Sequence, residues 1–214
     1  VYNNKKTFDL MRRDEEDLPL GIQLVGQDEE KILFVARICQ QRGFEVLDIN
    51  AGCPARKVIK GGKGSALLKD PDKLASVLKK IVNEVDIPVT VKIRSGWDQD
   101  NLNYTEVVDA IQSSGVKAIS VHPRTREQMY KGRPDYEIVR KIKERSSLPV
   151  FASGNIFEPM DVINIIELSG CDGVLIARGA LGRPWIFREV YNLLNKKKEK
   201  IPEKFNDIKE IIIE

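Results

Sequence analysis

The chain has 214 residues, of which 42% are hydrophobic, so it is long enough to form one large domain with a buried core. Its 35 basic and 32 acidic side chains give a net charge of +3, which is too small to indicate nucleic-acid binding by itself. The absence of an apolar run of about 18 residues argues against a membrane span, and three widely spaced cysteines without an apolar leader predict a reducing, cytoplasmic location.

Short apolar runs alternate with amphipathic segments along the chain. The runs are rich in Val, Ile and Leu and are too short for helices, so they predict buried strands. The predicted strands cover residues 20–25, 46–50, 89–93, 118–121, 149–152 and 173–177. Helical periodicity lies between them at residues 29–42, 71–85, 103–114, 135–145 and 159–169. Asp70 is positioned to cap the second of these helices, and Gly43, Gly115 and Gly170 stand where helices should end.

This alternation predicts parallel βαβ units, which build either an open doubly wound sheet or a (βα)8 barrel. Polar groups or glycines end or follow every predicted strand, which indicates one shared mouth and favours the TIM-type (βα)8 barrel. They are Gln23, Asn50, Cys53, Lys92, Arg94, His122, Arg124, Gly154, Asn155, Arg178 and Gly179. Six strands predict about six of eight βα units, with the barrel domain over residues 1–195. A charged linker and the start of a helical domain follow at 196–214.

Cys53 is the first candidate for chemistry. It lies in a turn directly after the predicted strand 46–50 and before Pro54, and functional residues concentrate in such loops. An ordinary thiol, with a pKa of about 8.5, stays protonated at neutral pH and can donate a proton. Cys39 and Cys171 are instead predicted to be core cysteines. The chain has one histidine, His122, so a multi-histidine zinc site is excluded and no metal is expected.

Further candidates have two interpretations each. Lys92 alternates inward with Thr90 in an apolar strand, which is costly unless the lysine meets an anion or an electron-rich ligand, but it could also reach solvent from the strand end. Gly154 and residues 177–182 predict either a phosphate site or simple turns. The basic loops at 56–63 and 124–133 are either RNA contacts or solvated charges, whereas the lysines at 196–200 are expected to be solvated.

Seven motifs occur in a specific order, and together they resemble the tRNA-dihydrouridine synthases over residues 21–190. The motifs are QLVG (23–26), DINAGCP (48–54), GKGSALL (62–68), VKIRSGW (91–97), VHPRTREQMYKG (121–132), SGNI (153–156) and ARGALGRPWIF (177–187). The resemblance implies an FMN-carrying (βα)8 barrel followed by a small helical domain that binds tRNA. It also implies reduction of the C5–C6 double bond of uridine in tRNA, with NADPH as the reductant.

The resemblance also assigns roles to individual residues. It makes Cys53 the donor of the proton to C5, while the flavin gives a hydride to C6, and it makes Asn50 a contact of the flipped base. The implied flavin contacts are Gln23, Lys92 and His122 at the ring, and Ser153, Gly154, Asn155, Ala177 and Arg178 around the phosphate. The implied contacts with tRNA phosphates or the displaced base are Arg124, Arg126 and Lys131.

The chain departs from the family pattern at its start. The family opens with two strands that have no counterpart here, so the chain is expected to be an internal piece of a longer protein, cut again within the C-terminal helical domain. Two other functions remain open. One is another FMN-dependent barrel oxidoreductase that acts on a free pyrimidine, similar to dihydroorotate dehydrogenase. The other is a flavin-free RNA-binding module.

Overall fold

The computed structural model describes residue 9, residues 11–13 and residues 18–197. It contains six strands, β1 (Gly21–Leu24), β2 (Val46–Asn50), β3 (Val89–Arg94), β4 (Ala118–His122), β5 (Val150–Ser153) and β6 (Gly173–Leu175). Each strand pairs in parallel with the next one in the chain, so the sheet order is β1-β2-β3-β4-β5-β6. An open doubly wound sheet would reverse its strand order at a switch point, so this sequential order confirms a partial (βα)8-type barrel.

Helices follow the strands as predicted. They are α1 (Glu29–Gln41), α2 (Arg56–Ile59), α3 (Pro71–Glu84), α4 (Tyr104–Ser113), α5 (Tyr136–Arg145), α6 (Pro159–Ser169) and α7 (Ile186–Leu194), with short 3₁₀ helices at Gly64–Lys69 and Arg178–Ala180. The five predicted helices are all present, with ends that differ by one residue at most. The one-turn α2 and the nine-residue α7 were not predicted.

The helix ends follow from local chemistry. The Asp70 side chain accepts a hydrogen bond from the backbone N–H of Lys73 at 3.0 Å, which confirms it as the N-cap of α3. Gly43, Gly115 and Gly170 adopt φ values of 79°, 88° and 64° where α1, α4 and α6 end. A side chain is strained in this left-handed region, so glycine is favoured at these helix ends.

Strand β3 presents one apolar and one polar side. In β3, Val89, Val91 and Ile93 are buried against the helices, while Thr90 and Lys92 point to the other side of the sheet. Strand register aligns these polar positions across the sheet, since Asn50 of β2 pairs with Lys92. The apolar side and the helices form one continuous core, which therefore fixes the polar side chains at the carboxyl ends of the strands.

Strand ends differ slightly from the predictions. β6 ends at Leu175 rather than at 177, because the chain turns there into the 3₁₀ helix Arg178–Ala180. Three other strands run one residue further than predicted, and their last residues are Arg94, His122 and Ser153. These three side chains are thus held by the sheet instead of by loops.

The described part of the chain has two open sides. Within it, β1 and β6 each have one neighbouring strand, and they do not pair with each other. Of the predicted linker and helical start at 196–214, only residues 196 and 197 are among those described, so that prediction lies almost entirely outside the described residues. In the described ranges, no helix combines the length and apolar character that crossing a membrane requires.

Candidate functional site

A cavity of about 320 Å³ lies at the carboxyl ends of the strands. It brings together Cys53, Asn50 and every residue for which the resemblance implies a flavin contact. Those lining residues are Gln23, Lys92, His122, Ser153, Gly154, Asn155, Ala177 and Arg178. Residues from all six strands and their loops therefore converge on one site, as in barrel enzymes.

Cys53 is held in its turn from two directions. The side-chain oxygen Oδ1 of Asn50 accepts hydrogen bonds from the backbone N–H groups of Gly52 at 3.1 Å and Cys53 at 2.8 Å. The carbonyl oxygen of Cys53 accepts from the Ser65 hydroxyl at 2.8 Å. Gly64, at φ +59°, packs on the same carbonyl, and a Cβ there would lie 2.7 Å from it. The turn therefore presents the thiol to the cavity in a defined position.

Arg94 of β3 stabilises the same turn through a hydrogen bond. This arginine is 3% exposed, and its Nε donates to the carbonyl oxygen of Gly52 at 2.8 Å. Its NH1 group donates to the carbonyl oxygens of Thr125 at 3.0 Å and Met129 at 2.8 Å, which lie in the loop after β4. Burial, with the nearby Arg124 charge, lowers the pKa of Arg94 to about 10. Arg94 therefore connects the Cys53 turn to the β4 loop.

Lys92 and His122 share one partner, the hydroxyl of Ser153. The Lys92 Nζ donates to Ser153 Oγ at 3.2 Å, and His122 Nδ1 lies 3.3 Å from the same oxygen. Arg124 NH1 lies 3.3 Å from His122 Nε2 and can only donate, so Nε2 is the acceptor and Nδ1 carries the proton. Ser153 Oγ in turn donates to the carbonyl oxygen of Val121 at 3.2 Å.

Buried cations set the electrostatics of this network. Burial and the neighbouring Arg94 lower the pKa of Lys92 to about 8, although Asp48 opposes the shift. Burial and four cations lower the pKa of His122 to about 3, so the imidazole is neutral at physiological pH. The four cations are Arg94, Lys92, Arg124 and Arg178. A site with this excess of positive charge is suited to an anionic ligand.

The loop after β5 forms the far wall of the cavity. Gly154 has φ +114°, and a Cβ at this position would lie 3.0 Å from His122 Cε1. Asn155 follows with φ 47°, and its Oδ1 accepts from Arg124 NH2 at 3.0 Å and from Arg178 NH2 at 3.4 Å. Two consecutive residues with positive φ, next to Arg178, form a concave and cationic surface.

Two aromatic rings at the mouth were missed by the sequence analysis. Tyr130 is 57% exposed and meets the His122 ring edge-on, with 6.3 Å between centroids. The Arg178 guanidinium carbon lies 5.3 Å from the Tyr130 ring centroid and 5.4 Å from that of Phe157. The Arg178 side chain is therefore held by two rings as well as by Asn155. Alternation cannot reveal such residues, because both rings come from loops.

Arg124 is buried beside the cavity rather than exposed at its mouth. The resemblance implies that it contacts tRNA, but the side chain is 1% exposed and does not line the cavity. Its Nε donates to the carbonyl oxygen of Lys131 at 3.1 Å, and its NH2 donates to that of Gly132 at 2.6 Å and to Asn155. The guanidinium donates its hydrogen bonds to carbonyl oxygens of its own loop, so it is unavailable to a phosphate on the surface.

Arg126 and Lys131 do not line the cavity, but they belong to the loop that carries Tyr130 to its mouth. Arg126 is half-buried, with its guanidinium carbon 4.8 Å from the Trp97 ring centroid, and Lys69 Nζ lies 3.6 Å from the same centroid. Lys131 is exposed.

Within the described ranges, no group of three or more His, Cys, Asp or Glu side chains is placed to hold a metal ion.

The fold and the cavity define a (βα)8-type barrel with a ligand site at the carboxyl ends of its strands. The family model described as "Dihydrouridine synthase (Dus)" matches residues 1–212, and the chain belongs to this family. The family predicted from the motifs is thereby confirmed.

Curated relatives are similar over most of the chain. The tRNA-dihydrouridine synthase B of Pseudomonas aeruginosa is 42% identical over 194 residues, which are 91% of this chain and 58% of that protein. The tRNA-dihydrouridine synthase B of Escherichia coli K12 is 40% identical over 81% of this chain and 54% of that protein. That of Pseudomonas syringae is 38% identical over 100% of this chain and 64% of that protein. The chain thus spans between half and two thirds of the length of these relatives.

A solved structure also resembles the chain. It is a glycine-to-alanine mutant of the active chimera of (S)-mandelate dehydrogenase, with a TM-score of 0.57, 16% identity, and coverage of 88% of this chain and 61% of that chain. At this identity the likeness concerns the fold alone.

Proposed function

We propose that this protein reduces the C5–C6 double bond of uridine in tRNA, with FMN as cofactor, NADPH as reductant and Cys53 as the proton donor. Family membership and the names of the curated relatives support the reaction. The single observation that carries the assignment of roles is the placement of the Cys53 thiol and the buried Lys92 in the same cavity. The proposal includes a cytoplasmic location, where tRNA is found.

The cavity residues fit an anionic flavin. The volume of about 320 Å³ lies within the range of small-molecule sites, about 300 to 1,000 Å³. Arg178 and the Gly154–Asn155 loop supply a cationic, concave wall suited to a phosphate. Lys92 supplies a buried positive charge suited to an electron-rich ring, while neutral His122 and Gln23 can exchange hydrogen bonds with ring edges. Ser153 and Ala177 complete the wall formed by Arg178 and the Gly154–Asn155 loop.

Cys53 performs the proton transfer in this proposal. When bound, FMN supplies the hydride that C6 receives, and NADPH supplies the electrons that restore the reduced flavin. The S–H bond of Cys53 breaks as a C–H bond forms at C5, so one hydride and one proton together saturate the double bond. The thiolate left behind then takes a proton from solvent. The hydrogen bonds to Asn50 and Ser65 hold the backbone of Cys53, which keeps the donor in place.

A uridine must leave its stack to enter this cavity, and such flipping costs a few kcal/mol. In our proposal Asn50 contacts the flipped base, and Arg126 and Lys131 contact tRNA phosphates near the mouth, which offsets part of that cost. Arg124 is given a different role from the one implied by its motif. It supports Asn155 and His122 from within the protein, as its buried hydrogen bonds indicate.

The test uses the full-length protein purified from cells. We expect it to carry FMN, identified by absorbance and mass after release, and to form dihydrouridine when supplied with NADPH and tRNA that lacks the modification. Free uridine and free uracil should remain unreduced under the same conditions. Reduction of a free pyrimidine without reduction of tRNA would contradict the proposal in favour of a dihydroorotate dehydrogenase-like enzyme. Tight tRNA binding without any flavin would contradict it in favour of an RNA-binding module.

A further inference from the structure

Asp48 is a half-buried carboxylate that the proposed reaction does not use. It lies in β2, in register with Gln23 of β1 and Thr90 of β3, and it does not line the cavity. One carboxylate oxygen accepts from the Thr90 hydroxyl at 2.6 Å, and the other accepts from Gln23 Nε2 at 2.6 Å. Asp48 therefore meets the site only through other side chains.

A chain of hydrogen bonds leads from this carboxylate to Cys53. Gln23 donates to Asp48 with its Nε2, and its Oε1 accepts from Asn50 Nδ2 at 2.7 Å. The Oδ1 of Asn50 faces the Cys53 turn, where it accepts hydrogen bonds from the backbone N–H groups of Gly52 at 3.1 Å and Cys53 at 2.8 Å. Two side-chain amides thus connect one carboxylate to the backbone that carries the thiol.

The polarity of this chain is fixed at both ends. An ionised carboxylate can only accept hydrogen bonds, and a backbone N–H can only donate. Each amide in between has one acceptor oxygen and one donor nitrogen, so a flip of Gln23 or Asn50 would place two donors or two acceptors against each other. Only one orientation of both amides satisfies all the groups. The two ends agree on this orientation: the backbone N–H groups hold Asn50, and Asp48 holds Gln23 against the amide nitrogen of Asn50.

We infer that Asp48 is a positioning residue for the Cys53 turn, which it supports by holding Gln23 against Asn50. Both amides face the cavity, so the same carboxylate also helps to hold in place the atoms that a ligand meets there. The inference rests on the hydrogen bonds alone; only its effect on turnover rests on the proposed function.

Two substitutions separate positioning from simple packing. Asp48→Ala removes the acceptor that orients Gln23. Asp48→Asn keeps an acceptor oxygen for Gln23 if its amide nitrogen faces Thr90, whose hydroxyl can rotate to accept. We therefore expect the asparagine variant to retain the hydrogen bond that holds Gln23 and the alanine variant to lose it, which loosens Asn50 and the turn. Asp48→Leu removes both oxygens while keeping a side chain of similar size, whereas Thr90→Val alone leaves the carboxylate in contact with Gln23.

The experiment measures amide hydrogen exchange in the full-length protein, in the peptide that contains Gly52 and Cys53. We expect exchange to be about tenfold faster in Asp48→Ala, since loss of a hydrogen bond worth about 1.4 kcal/mol corresponds to that factor. Asp48→Asn and Thr90→Val should stay within about threefold of the wild-type rate, and Asp48→Leu should match Asp48→Ala. Peptides from α5 serve as the internal control and should keep their rates.

Wild-type exchange in Asp48→Ala, or equally fast exchange in Asp48→Asn and Asp48→Ala, would overturn the inference. If Asp48→Ala does not fold, the comparison of Asp48→Asn with Asp48→Leu decides in the same way. Dihydrouridine formation is measured on the same proteins and should fall with the variants whose exchange accelerates. A protein without any such activity would refute the proposed function, yet it would leave the exchange result and the positioning role standing.

Discussion

The two sides of the cavity hold their side chains by different means. On the β1–β2 side, a carboxylate and two amides form a chain of hydrogen bonds that ends at the Cys53 backbone. On the β4–β6 side, Arg124 and Arg178 converge on Asn155 beside a neutral histidine. The first side fixes the position of a thiol, and the second concentrates positive charge. Variants on the first side should therefore affect the position of the thiol, and variants on the second side should affect the binding of an anionic ligand.

The largest predicted effect on stability belongs to Lys92, whose charge stands between the two sides. Its folded-state pKa of about 8 lies below the ordinary 10.5, so between these values the unfolded chain binds the extra proton. The free energy of unfolding of the flavin-free protein should consequently rise from pH 8 to pH 10.5. Below pH 8 the buried charge costs about 3 kcal/mol, to order of magnitude.

Lys92→Met should remove this cost. We expect the flavin-free variant to be more stable than the wild type at pH 7, by up to about 3 kcal/mol, and to lose the rise above pH 8. Urea denaturation at pH 7 and pH 9.5 measures both effects. The same variant should reduce its flavin with NADPH more slowly while its tRNA affinity is unchanged. A variant that is less stable at pH 7 and still reduces flavin at the wild-type rate would show that Lys92 does not carry a buried charge in the site.

Arg178→Ala should weaken flavin binding by about 10- to 100-fold, because a charge-assisted hydrogen bond is worth about 1.5 to 3 kcal/mol. Arg188→Ala is the matched control, since Arg188 is an exposed residue of α7 that does not line the cavity. Titration of the flavin-free protein with FMN, followed by flavin fluorescence, gives the dissociation constants. Equal affinities for both variants would place the phosphate elsewhere.

The residues near the mouth should have smaller effects. Arg126→Ala and Lys131→Ala should each weaken tRNA binding and reduce the slope of log affinity against log salt by about 0.7 to 0.9, as expected for the loss of one phosphate contact. Lys141→Ala, on the exposed side of α5, provides the control. Binding is titrated at several salt concentrations with flavin content held equal. If the slopes of all three variants match that of the wild type, Arg126 and Lys131 are ordinary surface charges.

The protonation state of His122 should not change across physiological pH. Its pKa of about 3 keeps the imidazole neutral from pH 5 to pH 8, and it is the single histidine of the chain. Its ring proton signals in an NMR titration should therefore stay at constant chemical shift over this range. A titration midpoint near 6.5 would mean that burial and the four neighbouring cations do not act on the ring as described.

Much of this arrangement could be predicted from the sequence, because short apolar runs and helical periodicity mark the elements clearly. Alternation within 89–93 correctly placed Lys92 on the polar side of β3. The Asp48 network could not be predicted in the same way, since its effect depends on strand register between β1, β2 and β3. Nothing in a single strand shows which side chains will lie opposite Asp48.

Loop side chains were the other feature that was hard to predict from the sequence. Arg124 follows a strand end in a basic loop, which is typical of a surface contact, but its guanidinium turns back to satisfy carbonyl oxygens of its own loop. Tyr130 and Phe157 were missed because they come from loops whose path depends on the assembled barrel. The sequence thus predicts which loops build the site more reliably than it predicts the direction of each side chain.

The central claim is that the Cys53 thiol donates a proton in a cavity whose other side binds the cofactor. The most direct test separates the two half-reactions in Cys53→Ala of the full-length protein. We expect flavin content and flavin reduction by NADPH to remain near wild type, while dihydrouridine formation on unmodified tRNA falls by about 100- to 10,000-fold, the usual contribution of a general acid. Wild-type dihydrouridine formation by this variant would contradict the account.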